Sequence, residues 1–432
     1  MRKHYFLLCM TFFLSSLQLS AQSFRKEIDA KPELSASNYL AYPTPSGCLT
    51  APPSGYVPVY ISHYGRHGSR YLISDIDYLR PLRTLERADS AGVLTEKGRE
   101  TMMKVRRMYD ESYKRWGELT PLGAEQHRQI ARRMYERFPE VFADSVWVDA
   151  KSTVVIRCIL SMENELLELV KHNPRLRVRH DASDHDMYYM NLHDTNLARQ
   201  RENEEVKQTM KDWEKRHLNC QPFMSRIFTN ADYVAKNVNA EQFTHDLFGL
   251  TGIVQNSEIR HSLSLYDIFT PDERYLMWQR ANVWWYLNFA GAPQNGGRQP
   301  FSQRNLLRNI ISEADSCLAL PHPGATLRFG HETMVMPLAC LLDLNGSYVQ
   351  VEQVDSLEAH GWIASRIFPM AANIQLVFYK NPKNPKADLL VKALLNEEEV
   401  TMPLPATSTP YYYKWSDFRK FYLDRLNNYR EQ

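Results

Sequence analysis

The sequence predicts an α/β fold, a mixed sheet flanked by helices, with an α-helical domain inserted into it. Three observations predict this. Short β-branched and aromatic runs recur at Tyr56–Ser62, Trp147–Val155 and Ala325–Gly330, and runs of that length bounded by Gly or polar residues read as buried strands. Stretches between them carry apolar residues every three or four positions, the repeat of a helix with one buried face. From 184 to 320 strand-like runs become few, and Trp213, Trp278, Trp284 and Trp285 fall at helical spacings. The expected division is an export signal over 1–21, a first part of the core over 22–183, the helical insert over 184–320, and the rest of the core over 321–432.

The elements follow in order. Arg2, Lys3 and His4 precede the apolar run Tyr5–Leu17, and Leu19-Ser-Ala21 offers small residues before a cut ahead of Gln22, the layout of a secretory signal. Residues 22 to about 55 contain Pro43, Pro45, Pro52 and Pro53 and are expected to wrap the surface without much regular structure. The first strand, Tyr56–Ser62, is expected to give way to a turn at Gly65 and Gly68. Asp75–Ala88 carries Leu79, Leu82 and Leu85 at helical spacing. Thr120 is an N-cap with Pro121 as first helical residue, and Ile130, Met134 and Phe138 form that helix's apolar stripe, with His127 a structural neighbour. Arg175–His180 alternates and reads as a further strand. Asn295-Gly-Gly297 marks a turn within the insert. Met334–Leu342 is an apolar helix, Ala372–Tyr379 and Leu389–Leu394 are strands, and Trp415–Leu426 is a terminal helix.

Composition narrows the function classes. The 432 residues carry a net charge of only +2, so nothing global points to nucleic acid or a membrane surface. No segment after the signal is apolar enough to span a bilayer. Five cysteines follow the signal: Cys48, Cys158, Cys220, Cys317 and Cys340. Their spacing matches no zinc pattern. Cys158 and Cys340 lie in apolar helical patterns and read as packed thiols, whereas a Cys220–Cys317 bridge, or one using Cys48, stays open.

Three strand ends supply one polar set: Arg66, His67 and Arg70, then Arg157, then His331 and Glu332. In open α/β sheets ligands sit at the carboxyl ends of strands. The set answers the needs of phosphoryl transfer. Guanidiniums hold the phosphate oxygens, an imidazole kept neutral by neighbouring cations is the nucleophile, and a carboxyl group protonates the leaving alkoxide. Deprotonated, that same carboxylate can activate water. His193-Asp194-Thr195 offers a second His-Asp pair, but no strand precedes it. His63 and His67 have metal-like spacing without a third ligand, and His63 reads as a buried partner at the strand end.

With these residues in place, the chain resembles the histidine acid phosphatase family, and most of all its multiple inositol polyphosphate phosphatases. The matching stretches are Arg66-His-Gly-Ser-Arg70, Gly117-Glu-Leu-Thr-Pro-Leu-Gly123, Arg157 with Ser161, Phe329-Gly-His-Glu332 and Ala372–Tyr379. The resemblance implies that His67 is the phosphorylated nucleophile, that Arg66, Arg70, Arg157 and His331 bind the reacting phosphate, and that Glu332 is the proton donor. It implies metal-independent chemistry without a cofactor, on a phosphorylated small molecule such as an inositol polyphosphate. Two departures stand out. Tyr71-Leu72 replaces the usual ending of the first motif, and His331-Glu332-Thr333 puts the carboxylate one place earlier than His-Ala-Glu. Arg80, Arg83, Lys151 and Arg328 are candidates for holding further phosphates. The competing expectations are a broad acid or sugar-phosphate phosphatase, a non-catalytic anion binder on the same fold, and a zinc hydrolase.

Overall fold

The computed structural model describes residues 24–430, so the export-signal expectation lies outside the described residues. Eight strands form one mixed sheet in the order β3-β2-β4-β1-β5-β6-β7, with β8 beside β6. β1 (Val57–Arg66), β2 (Trp147–Ser152), β3 (Arg177–Asp181) and β4 (Gly324–Gly330) are parallel to one another. β5 (Asn373–Lys380) runs antiparallel to β1, and β6 (Leu390–Leu395) antiparallel to β5. Two small strands, β7 (Glu398–Glu399) and β8 (Tyr413–Lys414), complete the edge. The 184–320 segment leaves after β3 and returns at β4, and its regular elements among the described residues are all helical.

Side-chain alternation splits the core into two layers. Ile61, Val148, Leu327 and Val377 pack with Ile130, Met134 and Leu166 from the helices Pro121–Arg137 and Ile156–His172. On the other face Tyr60, Tyr64, Ile374 and Leu376 pack with Val206, Val283, Leu306 and Ile310 of the 184–320 segment. A third cluster lies off the sheet, where Leu82, Leu85 and Val105 meet Phe223, Phe243 and Leu247.

Several expectations need correction. The lead-in is partly regular: residues 24–30 are helical and Pro32–Tyr39 is a 3-10 turn. β1 does not stop at Ser62; it continues through Gly65, which pairs with Phe329 on one side and Asn373 on the other. The position needs glycine because a Cβ there would meet the His63 ring at 2.6 Å. The helix Glu96–Ser112, capped by the Thr95 side chain, had no counterpart in the sequence reading. Cys48, Cys158, Cys220, Cys317 and Cys340 are all free thiols, so neither open disulfide forms.

Candidate active site

β1 and β4 end level with one another, and β2 ends one residue short of them. Arg66 is paired with Gly330, and Ser152 with Phe329. The residues that follow form a shallow layer: His67 after β1 and His331 after β4 side by side, and Thr153 after β2 level with Gly330, one step before them. Backbone bonds fix the layer, from His67 N–H to the Gly330 carbonyl (2.9 Å) and from Thr153 N–H to the Phe329 carbonyl (3.0 Å). Arg157 enters from the first turn of the helix Ile156–His172, and Glu332 opens the helix Glu332–Leu342.

The loop from His67 to Arg70 is clamped onto the start of the helix Pro121–Arg137. A Cβ on Gly68 would lie 2.4 Å from the Gly123 carbonyl oxygen, and one on Gly123 would lie 2.2 Å from that of Ser69. That close approach accounts for the two glycines. Ser69 N–H donates to Gln126 Oε1 (2.9 Å), the Ser69 hydroxyl donates to Asn256 Oδ1 (2.6 Å), and Gly68 N–H donates to the Ser161 hydroxyl (3.1 Å). One helix thus holds the loop through Ser161 and presents Arg157 one turn earlier. One turn further on, its Glu165 accepts from His127 Nδ1 (2.7 Å), and both side chains are fully buried.

All six expected residues come together. Nδ1 of His67 donates to the Gly68 carbonyl (2.9 Å), leaving Nε2 to face Glu332 Oε2 at 3.6 Å. Arg66 is anchored by donating to the Asn38 and Phe368 carbonyls (2.7 and 2.9 Å), and its Nε lies 3.1 Å from Glu332. Arg70 Nη2 lies 3.9 Å from the other Glu332 oxygen, and Arg157 Nη1 donates to the Gly117 carbonyl (3.4 Å). Arg66 Nη2, Arg70 Nε and Arg157 Nε are buried donors with no hydrogen-bond partner among the described residues. Buried donors of that kind are expensive unless an acceptor is supplied.

The electrostatics follow from burial and crowded cations. Burial, helped by Arg66 and Arg157, holds His67 well below its ordinary value against the pull of Glu332, so the ring is neutral. His331 falls to about 4, first from burial and then from the three arginines. Burial pushes the Glu332 carboxyl up, but Arg66, His67 and Arg70 outweigh it and hold it well below the usual carboxylate range. Burial lowers Arg66 to about 10. His67, His331 and Glu332 bring donor atoms within 4.8 Å of one another, a cluster able to ligate a metal. The three guanidiniums oppose a cation and favour an anion there.

Other expected residues go elsewhere. Arg80 is held by Asp246 (2.6 Å), Lys151 by Asp186 (3.0 Å), and Arg328 is buried against Asn309 and Ser62. Arg83 is exposed. Asp194 caps the helix Thr195–Arg201 and pairs with Arg304, so the second His-Asp pair is structural. His63 is buried with neither ring nitrogen partnered among the described residues. Sequence reasoning missed Tyr39, whose ring lies 5.7 Å from the Arg70 guanidinium and whose hydroxyl is raised by burial against the pull of Arg70. It missed Thr153 as well, although the residue following β2 is marked by the same strand-end position as His67.

Comparison with known proteins follows the same lines. A family model described as histidine phosphatase superfamily (branch 2) matches residues 66–396. The multiple inositol polyphosphate phosphatase of Bifidobacterium longum, solved with inositol hexasulfate, is 20% identical with a TM-score of 0.69 over 89% of this chain and 96% of that one. Its phosphate complex gives 19% and 0.68 over 90% and 98%. The phytase from D. castellii gives 15% and 0.64 over 92% and 86%. At these identities the likeness is one of fold. No curated protein sequence matches the chain.

Proposed function

The chain belongs to the histidine phosphatase superfamily (branch 2), and from that premise we propose that it is an exported phosphomonoesterase acting on inositol polyphosphates through a phosphohistidine. The observation that carries this is a neutral imidazole with its Nε2 free, ringed by three guanidiniums whose buried donors lack acceptors. Arg66, Arg70 and Arg157 take the oxygens of the reacting phosphate, and His331 donates a further hydrogen bond. Nε2 of His67 attacks phosphorus and the P–O ester bond breaks; Glu332, ionised before substrate binds, takes up the proton of a monoanionic phosphate ester on binding and gives it to the departing alkoxide. Glu332 then takes a proton from water as that water attacks phosphorus, which frees His67 and releases inorganic phosphate. The substrate class rests on the neighbours, one of which was solved with inositol hexasulfate. Export rests on the N-terminal signal pattern. No helix among the described residues is long and apolar enough to cross a membrane.

One observation favours a second reading, a broader acid or sugar-phosphate phosphatase. Arg80, Lys151 and Arg328, three of the four cations expected to hold additional phosphates, are engaged elsewhere. The test is phosphate release from inositol hexakisphosphate and from p-nitrophenyl phosphate, with and without EDTA, for wild type and His67→Ala. EDTA-resistant turnover abolished in His67→Ala is expected. Preference for the simple ester selects the second reading, and no turnover of either compound overturns both.

A further inference from the structure

The first residues past the parallel strands β1, β2 and β4 are His67, Thr153 and His331, and His67 and His331 already have roles. Thr153 is fully buried, and its backbone is tied to β4 by the bond to the Phe329 carbonyl (3.0 Å). Its hydroxyl oxygen lies 3.2 Å from Nε2 of His331. The Cys158 sulfur also lies against that ring, 3.8 and 3.9 Å from the two nitrogens. Its S–H is aimed at the Gly330 carbonyl (3.3 Å).

A neutral imidazole has one N–H and one lone pair, and the partner of one nitrogen decides which is which. With Nε2 against Thr153, Nδ1 is the ring nitrogen left for an anion, and if Nε2 carried the proton Nδ1 would offer that anion a lone pair. If the Thr153 hydroxyl donates to Nε2, the ring proton sits on Nδ1 and is available to an oxyanion. The hydroxyl is buried and needs an acceptor. The imidazole nitrogen is a far better one than the neutral Cys158 thiol, which burial pushes up to about 12. We propose that Thr153 is a positioning residue: by donating to Nε2 it fixes His331 as the Nδ1–H tautomer and so makes it a phosphate-binding donor. This rests on the proposed reading of His331, and it adds a requirement at β2 that the matching motifs do not contain.

The test compares Thr153→Val, which keeps the shape and loses the hydroxyl, with Thr153→Ser, which keeps the hydroxyl. The readouts are kcat and KM for p-nitrophenyl phosphate, inhibition by inorganic phosphate, and histidine 15N chemical shifts, with His331 assigned by loss of its signals in His331→Gln. Thr153→Val is expected to weaken phosphate inhibition and lower kcat/KM by about tenfold, the scale of one lost hydrogen bond. Thr153→Ser restores both, and Thr153→Val costs nothing further in a His331→Gln background. The 15N shifts place the His331 proton on Nδ1 in the wild type and not in Thr153→Val. Equal impairment of the Val and Ser variants, or a wild-type proton on Nε2, overturns the proposal. If the wild type turns over no phosphomonoester, the functional reading fails, and the 15N shifts alone still decide the role of Thr153.

Discussion

Replacing Glu332 by Gln separates two effects that a simple loss of activity would merge. The carboxylate lies 3.1 Å from Arg66, 3.6 Å from His67 and 3.9 Å from Arg70. It therefore competes with an incoming phosphate for the same cations. Two like unit charges 4 Å apart repel by about 4 kcal/mol at an effective dielectric of about 20. If rotation of Glu332 away from the phosphate relieves half of that, about 2 kcal/mol remains, and Glu332→Gln should bind inorganic phosphate about thirtyfold more tightly. The chemical step moves the other way. Loss of a general acid costs roughly 10²–10⁴ where the leaving group is an alkoxide, but little for p-nitrophenolate, which departs without a proton. The assay is single-turnover release of p-nitrophenol and of an alkyl alcohol, together with competitive inhibition by phosphate. Equal loss for both leaving groups would remove Glu332 from the donor role. Weaker phosphate binding in the variant would refute the electrostatic argument.

Other outcomes follow from the same packing. Gly123→Ala drives a Cβ to 2.2 Å from the Ser69 carbonyl, and since both sides of that contact are backbone, the loop from His67 to Arg70 must shift. Activity should fall by more than tenfold with a measurable drop in Tm, as overpacking costs about 1–3 kcal/mol. His63 is buried and faces Glu165, His127 and Arg328, and burial lowers it from 6.5 to about 4. The unfolded chain therefore takes up a proton below pH 6.5 that the folded one refuses until about pH 4. Its contribution is intact above that window and lost as pH falls through it, at up to about 1.4 kcal/mol per pH unit. Urea midpoints measured from pH 7 to 4 should fall less steeply in His63→Gln. Thiol titration of the native protein should label exposed Cys48 quickly and leave buried Cys158 and Cys340 unlabelled until denaturant is added, and reducing agent should leave Tm unchanged.

The strands and the six central side chains were legible because each signal is local. A β-branched run that stops at Arg-His-Gly or Gly-His-Glu places its polar residues at a strand end whatever the rest of the chain does. What decides the surroundings is pairing across long separations, which leaves no local mark. Arg80 resembles a cation available to a substrate until Asp246, 166 residues later, folds against it. Arg328 sits only three residues before His331, yet the alternation of β4 buries it against Asn309 and Ser62. Tyr39 reaches Arg70 from a proline-rich lead-in with no periodicity to read. Gly65 looked like a turn although its need for glycine is set by the His63 ring, two residues back on the same face of an extended strand. Thr153 falls between these cases. Its residue type says nothing, but it is the first residue past β2, as His67 and His331 are the first past β1 and β4. Strand-end alignment, once the parallel order is known, is therefore a better guide to the chemistry of this sheet than side-chain charge.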